Sequence, residues 1–201
     1  MALEARKIKS LLGNYKSRYI KYLIAELERT KDTGYISDNN IIYVMQEDNP
    51  AIWYGLIFNL GMSELSGEYI LELIAQDDYP NSPPKFKMLT PNGVFDVSGN
   101  ATPCLNIGHL HASNYPATLG MQGFGAAVVG ALQAYKDLKG GLHIISTTIN
   151  EKKELSKKSV EYNTLNHQHI MEQFRDHVIT YGISPIVQSI SFVAEIICKD
   201  E

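Results

Sequence analysis

Between Ile41 and Leu89 the sequence carries four short apolar runs, IIYVM, WYGLIFNL, EYILELIA and KFKML. The stretches EDNP, GMSELSG and QDDYPNSPP part them. Runs of five to eight residues with Gly, Pro, Asn and Asp between them predict an antiparallel meander of four strands. Helical patterns flank this block on both sides and do not alternate with it. That order predicts an α+β fold and argues against βαβ units.

On the N-terminal side, Ile8, Leu12, Tyr15, Tyr19, Leu23 and Leu27 recur every three or four residues, predicting an amphipathic helix over 3–29. KDTG follows, with Gly34 as the expected left-handed cap. On the other side, Thr118 to Leu138 is apolar on nearly all faces, as in a buried helix. Its Gly120, Gly123, Gly125 and Gly130 would each cost about 1 kcal/mol against Ala unless close packing requires them. GFGAAV within it is not read as a dinucleotide fingerprint, because a proline-containing loop precedes it where a strand should lie. From Asn150, expected as a cap, Leu155, Val160, Leu165, Ile170, Phe174 and Val178 form a broken apolar stripe. Ser184 and Pro185 then suit the cap and first position of a last helix.

The 201 residues suit one domain, or one domain with an extension. A net charge of −4 gives no basic excess for phosphates, so nucleic acid is not an expected partner. Two cysteines, Cys104 and Cys198, are too few for a disulfide framework and indicate a reducing compartment. MALEARKIKSLL has the pattern of neither a signal peptide nor a span. ISPIVQSISFVAEIICKDE is broken by Pro185, Gln188 and Glu195, short of the roughly 20 apolar residues a spanning helix needs. A soluble protein is expected.

Cys104 sits in TPNGVFDVSGNATPCLNIGHLH, residues 90–111. Taken alone it is either a nucleophile or a small apolar residue in a loop. His111 follows seven residues later, but no partner that would orient it as a base is evident. Cys104, His109 and His111 match no structural zinc spacing, and His167 and His169 fall on a polar helix face, so no metal is expected. Cys198 reads as a small core residue.

The order of parts resembles the ubiquitin-conjugating enzyme fold over residues 3–180. Trp53 opens the second strand, Tyr79-Pro80-x-x-Pro83-Pro84-Lys85 matches the family turn, and Cys104-Leu105-x-Ile107 matches the surroundings of the family's cysteine. Thr90-Pro91-Asn92-Gly93-x-Phe95, in place of the commoner His-Pro-Asn, with His111 beyond, resembles the atypical tail-anchored branch of endoplasmic-reticulum quality control. INEKKELSKKSVEYN is similar to that branch's helix after the core. Three departures stand out: SGNA lengthens the path from Asn92 to Cys104, Asn114 replaces a tryptophan, and Asn81 replaces a large apolar residue used to grip ligases.

The resemblance implies a core domain over 1–150 and a helical extension over 151–201 packed on it. It implies an acyltransferase with Cys104 as thioester carrier, served by a ubiquitin-activating enzyme and a ubiquitin ligase, without cofactors. Asn92 would donate to the tetrahedral oxyanion or hold the loop, roles that are not exclusive, and His111 would order the loop or bound the site. Arg6 and Lys7 would face the activating enzyme, and Asn81 and Pro116 the ligase. An acidic or hydroxyl residue assisting the attacking amine would come from KDLKGGLHIISTT or Ser113. The implied location is cytoplasmic, and the branch resemblance extends this to the cytosolic face of the endoplasmic reticulum. That branch's C-terminal membrane anchor leaves two alternatives: either it lies outside this sequence or the protein never carried one. The departures also motivate a binding module that keeps the fold without the chemistry. A cysteine hydrolase needing no activating enzyme is a third reading.

Overall fold

The structure, a computed structural model, describes residues 17–46, 48–98, 110–111, 113–138 and 143–193. Helices α1 (Ser17–Arg29) and α2 (Thr33–Asn39) lead into strands β1 (Ile41–Met45), β2 (Ile52–Ile57), β3 (Tyr69–Ile74) and β4 (Lys85–Met88). Helices α3 (Gly120–Gln133), α4 (Ile149–Asn166) and α5 (Gln168–Tyr181) follow. The sheet is the expected antiparallel meander in the order β1-β2-β3-β4, with Trp53 opposite Met45 on one side and Leu73 on the other.

Antiparallel strands with one wet face alternate apolar and polar residues. Here the runs are almost continuously apolar because both faces of the sheet are covered. Ile41, Tyr43, Trp53, Ile57, Leu71, Leu73 and Phe86 pack against Tyr19 and Leu23 of α1 and Met121, Phe124, Val128 and Leu132 of α3. Ile42, Val44, Tyr54, Leu56 and Ile70 point to the other face. There they meet Ile170, Phe174 and Val178 of α5 and the segment from Ile183 to Val193.

Several local expectations differ from the structure. Gly34 is not a left-handed cap: Asp32 caps a second helix that contains it, and the left-handed residue is Asn40 at φ 52°. The cap of α4 is Thr148, not Asn150; its hydroxyl takes the Glu151 N–H while the Glu151 carboxylate takes the Thr148 N–H. The expected long stripe from Leu155 to Val178 splits at His167 into two helices. Only its second half, Ile170, Phe174 and Val178, is buried, and Leu165 is 74% exposed. The face α4 buries is polar: Lys152, Ser156, Ser159 and Asn163. It lies on chain just before β3 whose backbone groups lack ladder partners, so hydroxyl and amide side chains fit there and leucines do not. Ser156 donates to Glu64 O at 2.9 Å, and Ser159 takes the Glu68 N–H at 2.9 Å. Residues 183–192 run through successive turns with i→i+3 bonds, and helix begins only at Val193, not at Pro185.

Candidate functional site

The two quoted turn motifs lie at opposite ends of β4. Before it, the 79–84 turn contains a cis Tyr79-Pro80 peptide and is tied by Gln76 Nε2 donating to Pro83 O at 2.7 Å. Asn81 is exposed at its tip. After it comes the 90–95 turn, with Thr90 and Asn92 both 0% exposed.

Asn92 is engaged by its own loop. Its Oδ1 accepts the N–H groups of Val94 and Phe95, each at 2.8 Å, while Nδ2 donates to Thr90 O at 3.0 Å. This is an Asx arrangement that fixes the chain's reversal. Gly93 takes φ +74°, where an L side chain is strained, and a Cβ there would lie 2.7 Å from Thr147 Oγ1. Thr147 donates to Gly93 O at 2.6 Å. Lys152 of α4 donates from Nζ to Thr147 O at 2.6 Å and Thr147 Oγ1 at 2.8 Å, and lies 4.8 Å from the Tyr135 ring centre. Burial of this ammonium lowers its pKa, opposed by the charges of Glu151 and Glu64.

The stretch after Asn92 pairs with the chain entering α4. Phe95 bridges Ile144, Ile145 N donates to Val94 O at 2.9 Å, and Asp96 N donates to His143 O at 2.9 Å. Asp96 lies 3.9 Å from the His143 ring, and its pKa is lowered first by the hydroxyl and N–H of Ser98. Of KDLKGGLHIISTT, the structure therefore brings His143 to Thr147 to the candidate site.

The loop ahead of α3 carries His111 and Pro116, both exposed; His111 O accepts the Asn114 N–H at 2.9 Å. Asn114, where the family's tryptophan would stand, is exposed too. Buried Tyr115 anchors this loop instead, donating to Gly120 O at 3.1 Å and packing on Phe124. Cys104, Arg6, Lys7, His109 and Cys198 lie outside the described residues. Among the described residues no group of histidine, cysteine and carboxylate side chains could hold a metal. No described helix is long and apolar enough to cross a membrane.

A buried carboxylate that sequence reading missed joins the first motif to α3. No side chain of its own segment caps α3. Glu26 of α1, 3% exposed, accepts Met121 N at 2.6 Å and Gln122 N at 3.3 Å through Oε2, and the Tyr79 hydroxyl through Oε1. Burial raises the Glu26 pKa, and these hydrogen bonds only partly offset it. Tyr35 and Tyr43 both donate to Gln122 O, at 2.6 and 2.9 Å, and burial pushes the Tyr35 phenol up to about 12. The missing local cap of α3 was the one signal in the sequence. Asn163 and Lys152 carry no such signal, because polar residues at helical spacing look like a solvated face until their partners are in place.

No family model matches the chain. It is similar to the ubiquitin-conjugating enzyme E2 6 of Candida glabrata, 35% identical over 71% of this chain and 57% of that protein. A ubiquitin-conjugating enzyme E2 J2-like protein of Dictyostelium discoideum is 30% identical over 63% of this chain and 72% of that one. The chain belongs to the ubiquitin-conjugating enzyme family. Human ubiquitin-conjugating enzyme E2 J1 is 26% identical over 74% of this chain and 45% of its own length. The chain thus spans between 45% and 72% of these relatives. A putative ubiquitin-conjugating enzyme from Plasmodium yoelii shares the fold, with a TM-score of 0.51 at 19% identity over 69% of this chain and 95% of that one. These relatives agree with the branch resemblance carried by Thr90-Pro91-Asn92-Gly93. Within the family fold, both turn motifs are braced by buried polar side chains reaching in from helices, Glu26 from α1 at one and Asn163 and Lys152 from α4 at the other.

Proposed function

We propose that this chain is an active ubiquitin-conjugating enzyme with Cys104 as the carrier. The Cys104 thiolate attacks the ubiquitin thioester held on an activating enzyme. A carbon–sulfur bond forms to Cys104, and the activating enzyme's thiolate departs. A neutral substrate amine, presented by a ligase, then attacks the same carbonyl carbon. The carbon–nitrogen bond forms, the bond to Cys104 breaks, and the amine loses its proton. A thiolate suits both halves, as a good nucleophile and a good leaving group.

The observation that supports this reading best is the built turn of the motif Thr90-Pro91-Asn92-Gly93-x-Phe95 in a chain of this family. Its polar groups are bonded and its glycine is required by φ +74°. An amide nitrogen carries two hydrogens, and the bond to Thr90 O uses one at Asn92. We assign the other to the oxyanion, where one well-placed donor contributes about 3 kcal/mol. In this reading Asn81 and Pro116 meet the ligase, Arg6 and Lys7 meet the activating enzyme, and His111 bounds the loop. Residues 1–150 form the core and 151–201 an extension, and the enzyme works at the cytosolic face of the endoplasmic reticulum.

The test is charging with activating enzyme, ATP and ubiquitin on a non-reducing gel. A slower band, removed by reductant, absent in Cys104→Ala and kept in Cys198→Ala, is expected. No band, with a known conjugating enzyme charging alongside, would move the assignment to a binding module.

A further inference from the structure

We propose that Asn163 of α4 is a positioning residue for the chemistry at Cys104, an inference that rests on the function proposed above. A buried chain of hydrogen bonds runs from it to Asn92. Asn163 Nδ2 donates to Glu68 O at 3.0 Å, and Asn163 Oδ1 accepts from Thr90 Oγ1 at 2.5 Å. Thr90 Oγ1 itself accepts the Ile70 N–H at 2.9 Å, and Thr90 O takes Asn92 Nδ2. Asn92 Oδ1 finally collects Val94 N and Phe95 N. Thr90, Asn92 and Asn163 are each 0% exposed.

Every polarity in this chain is forced. A backbone carbonyl only accepts, so the nitrogen of Asn163 must face Glu68 and its oxygen must face Thr90. The Ile70 N–H only donates, so the single Thr90 hydroxyl hydrogen is left for Asn163. Thr90 is thereby held in one rotamer, and its carbonyl sets the plane of the Asn92 amide.

The same helix holds the other end of the turn. Lys152 lies 11 residues before Asn163 on the same buried face, a rise of about 16 Å. Through Thr147 it reaches Gly93 O. A Cβ on Gly93 would lie 3.0 Å from Lys152 Cγ and 3.3 Å from Leu155 Cδ1, so the turn rests directly on α4. A helix is a more exact template than a loop for a group that must meet a transition state. A misplacement of about 1 Å at a reacting centre costs on the order of 100-fold in rate.

The test is single-turnover discharge of the purified Cys104–ubiquitin thioester to saturating hydroxylamine, well below the melting temperature of each variant. Asn163→Ala is expected to slow discharge about 10- to 100-fold. Thr90→Val should do the same, the double variant should be no slower than either single one, and Thr90→Ser should discharge at the wild-type rate. Amide hydrogen exchange at Val94 and Phe95 should quicken in Asn163→Ala. Wild-type discharge in Asn163→Ala, multiplying defects in the double variant, or unchanged exchange would each overturn the proposal. A wild-type chain that never charges would bring down the functional reading and this role with it. The exchange measurement needs no charging, so it separates that failure from a missing link between Asn163 and Thr90.

Discussion

Replacing Glu26 with alanine tests whether a carboxylate from α1 serves as the cap of α3. Three donors converge on it: the Tyr79 hydroxyl on Oε1, and the N–H groups of Met121 and Gln122 on Oε2. Met121 N keeps a second acceptor, Tyr79 Oη at 3.1 Å, so the variant orphans two buried donors, the Tyr79 hydroxyl and Gln122 N. Each orphan costs about 1–2 kcal/mol, and losing a negative charge at a helix N-terminus adds about 0.5 kcal/mol. The expected loss is about 3 kcal/mol, or roughly 6–12 °C in Tm for a chain of this size. Urea unfolding followed by circular dichroism would measure it, with calorimetry for Tm. A loss below about 0.5 kcal/mol, the range of an ordinary surface change, would refute the cap.

Protonation gives a second handle on the same carboxylate. Burial raises the Glu26 pKa above its ordinary 4.5, so the unfolded chain releases this proton at lower pH than the folded one. Its contribution to stability is fully present below 4.5 and is lost as pH climbs through the raised value. Glu26→Gln, which does not titrate, should flatten that decline, while Glu68 and Glu72, also raised by burial, keep part of it. Parallel stability–pH curves for the two proteins would contradict the shift. Two glycines of α3 should respond oppositely to alanine. Gly130 is exposed with nothing within 4 Å of an added Cβ, so Gly130→Ala should stabilise by about 1 kcal/mol in urea unfolding. At Gly125 the added carbon would collide with Tyr43 Oη, so Gly125→Ala should destabilise in the same assay. Phe174→Ala, at a position 0% exposed between α5 and the sheet, should cost about 3–5 kcal/mol. Thr148→Ala should cost about 1 kcal/mol through loss of the α4 capping box.

The meander was legible because its signals are local. Turn chemistry at 47–50, 61–67 and 76–84 and short runs between them require strands whatever lies around. The buried character of α3 was legible for the same reason, since Gly123, Gly125 and the apolar residues around them leave no wet face long enough to matter. The two motif turns were also readable: Asn92 and Gly93 specify their own reversal through the Asx bonds and a positive φ.

What the rest of the chain does with those turns depended on residues far away in sequence. Periodicity assigned α4 an apolar stripe, yet its buried face is Lys152, Ser156, Ser159 and Asn163. Those positions stand at helical spacing, but they become a recognisable face only once unpaired backbone groups at Glu64 and Glu68 lie opposite. A polar side chain carries no sign of its partner when that partner is a carbonyl some 90 residues away. Glu26 is the same case: on α1 it reads as one more charge, and the folded chain makes it the cap of a helix that begins at Gly120. The sequence by itself determined the sheet, the helical character of its flanks and the two motif turns, since neighbours along the chain set turn geometry and burial pattern. Helix α2, the break at His167 and the turns after Tyr181 came only with the fold. Only the tertiary structure decided which helix holds each turn, because a buried polar group must be satisfied and its partner is whatever the packing brings within 3 Å.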